Sequence, residues 1–152
     1  LTAQRRSEVA GMRWSDIDFD TGLWHLEETK TGRSHEVPLS PQVIDILRSV
    51  PHLDKCPYVF STNGRTPISG FSKVCARIST AAEVSGWTIH DLRRTAASEM
   101  TALGIPADHV ERVLGHILPG MRQVYVRHDF LPEKRAALEM WSTQIQSLTK
   151  SN

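Results

Sequence analysis

The stretch IDFDTGLWHLEETKTGRSHEVPL, residues 17–39, decides the fold class. Asp20-Thr21-Gly22 separates Ile17 and Phe19 from Leu23-Trp24-His25-Leu26, and Lys30-Thr31-Gly32 separates that run from His35-Glu36-Val37-Pro38-Leu39. Short apolar runs divided by glycine-containing turns predict a three-stranded antiparallel meander, with Lys30 at the tip of a hairpin. The sequence on either side carries helical signals. Ser7 to Arg13 predicts a helix ended by Trp14-Ser15-Asp16, and Ser40-Pro41 combines a capping hydroxyl with proline at the first helical position. The helix that follows would carry Val43, Ile44 and Leu47 and end near Pro51.

Residues 51–67 read as loop around a short strand candidate, Tyr58-Val59-Phe60. Ser69 is placed to cap a helix through about Val84 with Phe71, Val74, Cys75 and Ile78 inward, broken by Ser85-Gly86. Another helix is expected from about His90 to Leu103, closed by Gly104. Pro106 opens the next, which holds Val110, Val113 and Leu114 and stops at Gly115, so His116 lies just past a helix C-terminus. Pro119-Gly120 breaks the chain before a helical turn with Tyr125. Pro132 then starts an amphipathic helix carrying Ala136, Met140, Trp141, Ile145 and Leu148. The expected fold is α+β and mainly α, a single domain over residues 1–152 with a small sheet near its start.

At 152 residues and 39% hydrophobic composition, the chain has enough apolar mass for one real core. It opens on Leu1 in a run, Leu1-Thr2-Ala3-Gln4-Arg5, that reads as the middle of a helical region, and it is expected to be a piece of a longer protein. No apolar run approaches the roughly 18 residues of a membrane span and no signal-peptide pattern opens the chain, so it is read as cytosolic. Cys56 and Cys75 lack redox or zinc spacing and are expected to be reduced structural thiols. A formal net charge of +1 gives no bulk signature of nucleic-acid binding. Placement of the basic residues must carry any such reading. Thirteen of the eighteen are arginine, whose planar fork matches phosphate oxygens.

Five cationic elements precede Tyr125 in order: Arg5, Lys30, the His90/Arg93 pair and His116. A phenol with a pKa of about 10 is ionised in roughly one molecule in a thousand at neutral pH, a handicap near 4 kcal/mol. A tyrosine nucleophile on a phosphodiester therefore needs cations to neutralise the transition state, activate the phenol and protonate the leaving alkoxide. Each residue singly also fits an ordinary place. His90 and Arg93, three apart, suit a solvated helix face; His116 suits a helix dipole; Arg5 and Glu8 suit a surface i, i+3 pair. Lys30 suits a turn and Tyr125 a half-buried core position. The five together in one order point to phosphoryl transfer.

The chain resembles the tyrosine recombinases, in particular the catalytic domain of phage and prophage integrases, over nearly its whole length. The family's Gly-x-Arg-x-x-Glu box is matched by Ala3-Gln4-Arg5-Arg6-Ser7-Glu8, with alanine in place of glycine, and is followed by Met12-Arg13-Trp14-Ser15-Asp16-Ile17-Asp18. The hairpin lysine matches Lys30, with Arg33 as a nearby competitor, and the Val-Pro-Leu that follows matches Val37-Pro38-Leu39. The His-x-x-Arg box is His90-Asp91-Leu92-Arg93, and Leu114-Gly115-His116 precedes Tyr125 by the family's interval of nine positions. Tyr58, the only other tyrosine, matches the strand before the long helix.

The resemblance implies catalytic roles for Arg5, Lys30, His90, Arg93, His116 and Tyr125, with Glu8 as the partner of Arg5. It implies metal-free cleavage of double-stranded DNA at attachment sites through a 3′-phosphotyrosyl intermediate, with no cofactor. It further implies a tetramer on DNA, an isolated domain that is monomeric, a bacterial nucleoid-associated location and N-terminal DNA-binding regions beyond this chain. The last helix, with Trp141 and Ile145, fits packing on a neighbouring protomer or within its own chain. The Pro119-Gly120 break predicts a mobile segment that leaves Tyr125 out of reach of Arg5 and Arg93 without DNA. A type IB topoisomerase and a catalytically silent DNA-binding domain of the same fold are the rival readings.

Overall fold

The computed structural model describes residues 1–27, 34–116 and 130–150. The meander forms as expected. Strands β1 (Ile17–Asp18), β2 (Leu23–Leu26) and β3 (His35–Pro38) make one antiparallel sheet in sequence order. Trp24 pairs with Ile17 on one side and Val37 on the other. Alternate strand residues share a face, so Trp24 and Val37 enter the core together, where both are buried.

Helix α1 spans Arg6–Ala10, α2 Pro41–Ser49, α3 Phe71–Ala82, α4 Ile89–Ala102, α5 Ala107–Val113 and α6 Leu131–Lys150. The core joins Met12, Trp24, Val37, Leu47, Val59, Met100, Val110, Val113, Leu138 and Trp141. Helix α6 lies against β3, α5 and α4, and so closes one side of this core.

Several expectations are corrected. Residues 1–5 are not helical, and Ala3 has φ +54°. Helix α1 ends at Ala10 rather than Arg13, because the next backbone groups are taken by a distant segment. Trp14 N–H donates to the Pro57 carbonyl, Val59 N–H donates to that of Met12, and Arg13 bridges Tyr58. That single bridge is all that forms at Tyr58-Val59-Phe60, and Trp14–Asp16 becomes a 3-10 turn. Ser40 does not cap α2; its hydroxyl donates instead to Ser142 on α6 at 2.9 Å.

The apolar face of α3 is not inward. Gly70, at φ +74°, precedes its first residue; none of its residues is buried, and Val74 and Ile78 stand 40% and 47% exposed. The buried stripe of α6 is Lys134, Ala137, Leu138, Trp141 and Ser142, while Ala136, Met140 and Leu148 face outward. Trp141 is thus buried in the chain's own fold with Ile145 packed beside the core, so this face is used internally. Cys56 and Cys75 are free thiols. Among the described residues no helix is long and apolar enough to cross a membrane.

Met100 and Ile78 give a paired test of the core boundary. Met100→Ala should cost about 2–5 kcal/mol, the range for truncating a fully buried side chain. Ile78→Ala should stay within about 0.5 kcal/mol. Urea unfolding of each variant measures the difference, and a large loss at Ile78 would place α3 inside a core after all. Ala3 gives a second test. A β-carbon in left-handed backbone costs about 1–2 kcal/mol, and glycine forfeits about 0.5–1 kcal/mol of chain entropy. Ala3→Gly should therefore raise stability by roughly 0.5 kcal/mol, seen as a higher urea midpoint.

Candidate active site

Arg93 projects inward from the first turns of α4 and is only 7% exposed. Helix α4 is anchored there by Asp91, whose carboxylate accepts the Thr88 backbone N–H at 2.9 Å and its hydroxyl at 2.8 Å. These contacts hold the Asp91 pKa below the usual carboxylate range. The Arg93 guanidinium reaches three chain segments. Nη1 donates to the Ala3 carbonyl at 2.7 Å, and Nη2 donates to the Leu114 carbonyl at 2.6 Å and lies 3.1 Å from His116 Nε2.

These contacts set the state of His116. A guanidinium can only donate, so Nε2 of His116 accepts and the ring proton sits on Nδ1. Nδ1 then donates to Glu111 at 2.6 Å. Helix α5 ends at Val113, and Gly115, at φ +63°, turns the chain so that His116 comes back over the helix end. His116 N–H accordingly closes on the Glu111 carbonyl at 3.0 Å.

Arg5 stands at the start of α1. Glu8 accepts its backbone N–H and its Nη1, both at 2.8 Å, so one carboxylate satisfies an orphan helix donor and orients the guanidinium. The Glu8 side chain is 8% exposed, against 23% for Arg5, which makes this more than a surface pair. Arg5 and Arg93 feel each other. Burial first, then the charge of Arg5, pulls the Arg93 pKa below its ordinary value, while Glu8 and Glu111 oppose that shift. An arginine so perturbed still stays protonated at neutral pH. The result is a partly buried cationic centre whose carboxylates lie to the side. Arg93 retains its Nε proton and one Nη1 proton without a hydrogen bond among the described residues.

The structure therefore brings Arg5, Glu8, Arg93 and His116 into one electrostatic cluster. His90 sits one turn before Arg93 on α4, exposed, and makes no hydrogen bond among the described residues. Lys30, its competitor Arg33, Tyr125 and the Pro119-Gly120 break lie outside the described residues. Among the described residues no group of three or more His, Cys, Asp or Glu is placed to hold a metal ion.

Three further residues build this centre. Gln4 Nε2 donates to the Val113 carbonyl at 2.8 Å, and His35 Nε2 approaches the same oxygen at 3.2 Å. Glu111 fixes His116. A signal for His35 exists in the sequence: it lies two positions before Val37 on a strand, hence on the buried face. Gln4 has no comparable signal, because its partner Val113 is brought close only by folding, and Glu111, five residues before His116, reaches it only because the chain turns back at Gly115.

The chain spans about a third of the length of the curated relatives it matches. Prophage integrase IntA of Escherichia coli (strain K12) is 28% identical over 152 residues, covering 97% of this chain and 37% of that protein. The integrase of mycobacterium phage Brujita shares the fold at TM-score 0.66 and 18% identity, over 91% of this chain and 46% of that one. The Tn1549 transposon integrase, solved in complex with transposon right end DNA, superposes at TM-score 0.58 and 18% identity, over 91% of this chain and 55% of that one. A sequence model of the phage integrase family matches residues 1–131, and with Arg5, Arg93 and His116 clustered as described, the chain belongs to that family.

Proposed function

We propose that this chain is the catalytic domain of a site-specific recombinase that cuts and rejoins double-stranded DNA through Tyr125. The observation that carries this reading is the buried Arg93 guanidinium, held beside His116 and under the charge of Arg5. Such a centre suits one phosphate. Arg5 and Arg93 take its non-bridging oxygens, contacts that strengthen as charge builds in the transition state, and His116 adds a third contact only once its Nε2 carries a proton and turns from Arg93 to the phosphate. The Tyr125 oxygen attacks phosphorus in line, the bond to the 5′-oxygen breaks, and a 3′-phosphotyrosyl ester forms. Lys30 gives its proton to the departing 5′-oxygen, while His90 orients the phosphate or takes the phenol proton. Attack by another 5′-hydroxyl reverses the step, since the ester conserves the phosphodiester bond.

DNA as partner is supported by the Tn1549 neighbour, which was solved on transposon DNA. Integration and excision of a prophage or related element is the setting that fits the relatives' names, and action in the bacterial cytoplasm by four copies on DNA is what the family resemblance implies. The isolated chain is expected to be monomeric.

A nicked suicide duplex that traps the cleaved strand tests this reading. The protein, or a longer form that contains it, should give a covalent protein–DNA adduct that disappears in Tyr125→Phe. Chelation by EDTA should leave the adduct yield unchanged, because side-chain cations supply the charge. Arg93→Lys should lower the rate of adduct formation by about 100-fold or more, through loss of the two-pronged donor. Site-independent plasmid relaxation would instead indicate a topoisomerase, and no adduct from either form a silent DNA-binding domain.

A further inference from the structure

His35 belongs to none of the motifs, yet it forms the back of the cationic centre. From β3 its Nε2 reaches the Val113 carbonyl at 3.2 Å, beside the Gln4 donor. A carbonyl only accepts, so Nε2 carries the proton and donates. The same ring presses on the turn that follows: a β-carbon at Gly115 would lie 3.3 Å from Cδ2 and 3.4 Å from Nε2 of His35. Gly115 in turn joins the two residues that Arg93 touches, Leu114 through its carbonyl and His116 through its ring.

Charged groups face His35 from three sides: Lys134 on α6, Arg93 on α4 and Glu8 on α1. Burial first, then Lys134, brings its pKa from 6.5 down to about 4; the Val113 contact and Glu8 oppose the shift, and Arg93 adds to it. At neutral pH the ring is uncharged. It adds no further cation to the centre, and what it offers is a donor and a wall.

We propose that His35 is a positioning residue of this site: as a neutral donor to the Val113 carbonyl and a stop against Gly115, it sets the turn after α5 and holds the His116 imidazole within reach of Arg93. Only the catalytic consequence rests on the strand-cleaving reading; the placement of His116 stands on the contacts themselves.

The test compares the unaltered chain with His35→Gln, whose amide still offers an N–H to Val113, and His35→Leu, which offers none. One readout is the imidazole chemical shift of His116 at about neutral pH. The other is the single-turnover rate of adduct formation on the nicked suicide duplex, with DNA affinity measured in parallel. The glutamine variant should keep the His116 signal and a rate within about threefold of the unaltered chain. The leucine variant should move the signal and lower the rate about tenfold or more, with the dissociation constant for DNA nearly unchanged. A folded His35→Leu with an unmoved His116 signal overturns the proposal, as does a glutamine variant that loses as much as leucine. If the leucine variant does not fold, His35→Asn takes its place: its shorter amide falls short of Val113, and an unmoved signal there is equally fatal. Absence of any adduct from the unaltered chain tells against strand cleavage, and the His116 signal still decides the placement.

Acid stability gives a readout independent of DNA. Unfolded His35 takes up a proton below about pH 6.5, whereas the folded ring resists down to about 4. Its stabilising contribution is therefore full above 6.5 and is lost as pH falls towards 4. The urea midpoint should fall less across this window in His35→Gln than in the unaltered chain. Parallel falls would mean that the ring is not held neutral and would overturn its assignment as a neutral donor.

Discussion

The structure around this site depends on one buried cation. Taking a guanidinium out of water costs several kcal/mol unless its protons are met, and Arg93 meets three segments at once: the stretch before α1 through Ala3, the end of α5 through Leu114, and His116 beyond the Gly115 turn. No carboxylate touches it among the described residues. Neutral acceptors meet three of its five protons, and Glu8 and Glu111 act on it from a distance. The segments that carry Arg5 and His116 therefore converge on α4 to offset the cost of burying this guanidinium.

The rest of the fold keeps those segments in register. Met100, three turns along α4, and Trp24, at the centre of the sheet, are fully buried and fix the helix and the sheet to one core. Strand β3 brings His35 to the last carbonyl of α5, and Lys134 of α6 donates to the Glu36 carbonyl of the same strand at 2.7 Å. Gln4 shares the Val113 oxygen. The C-terminal carbonyls of a short helix, which have no partner within it, are thus satisfied by side chains from the very segments that form the cationic centre. Support and site use the same bonds.

Much of this was legible in the residues. Asp20-Thr21-Gly22 marks the break between β1 and β2, and Gly104, Pro106 and Gly115 bound α5. That Arg5, Glu8, Arg93 and His116 would come together was legible through the motifs that resemble the integrases, because those boxes fix which arginine, glutamate and histidine to expect at one place. What sequence could not supply was tertiary competition. Residues 12–14 pair with 57–59 instead of prolonging α1, and Ser40 turns to Ser142 instead of capping α2. Periodicity also fails to say which helix faces find a partner: the apolar stripe of α3 finds none inside the described core, and that of α6 is rotated so that Lys134 and Ser142 are buried while Met140 and Leu148 are not.

The mutual repulsion of Arg5 and Arg93 has an evolutionary reading. A carboxylate set directly against Arg93 would relieve the like charges and stabilise the domain, but it would occupy the donors that the proposed phosphate contact needs. The acids present stand one step back, Glu8 behind Arg5 and Glu111 behind His116. If the proposed strand-cleaving role holds, stability and activity pull in opposite directions at this spot. On that proposal, substitutions that harden the protein here should be common in selections for folding alone and rare where the anion site is kept.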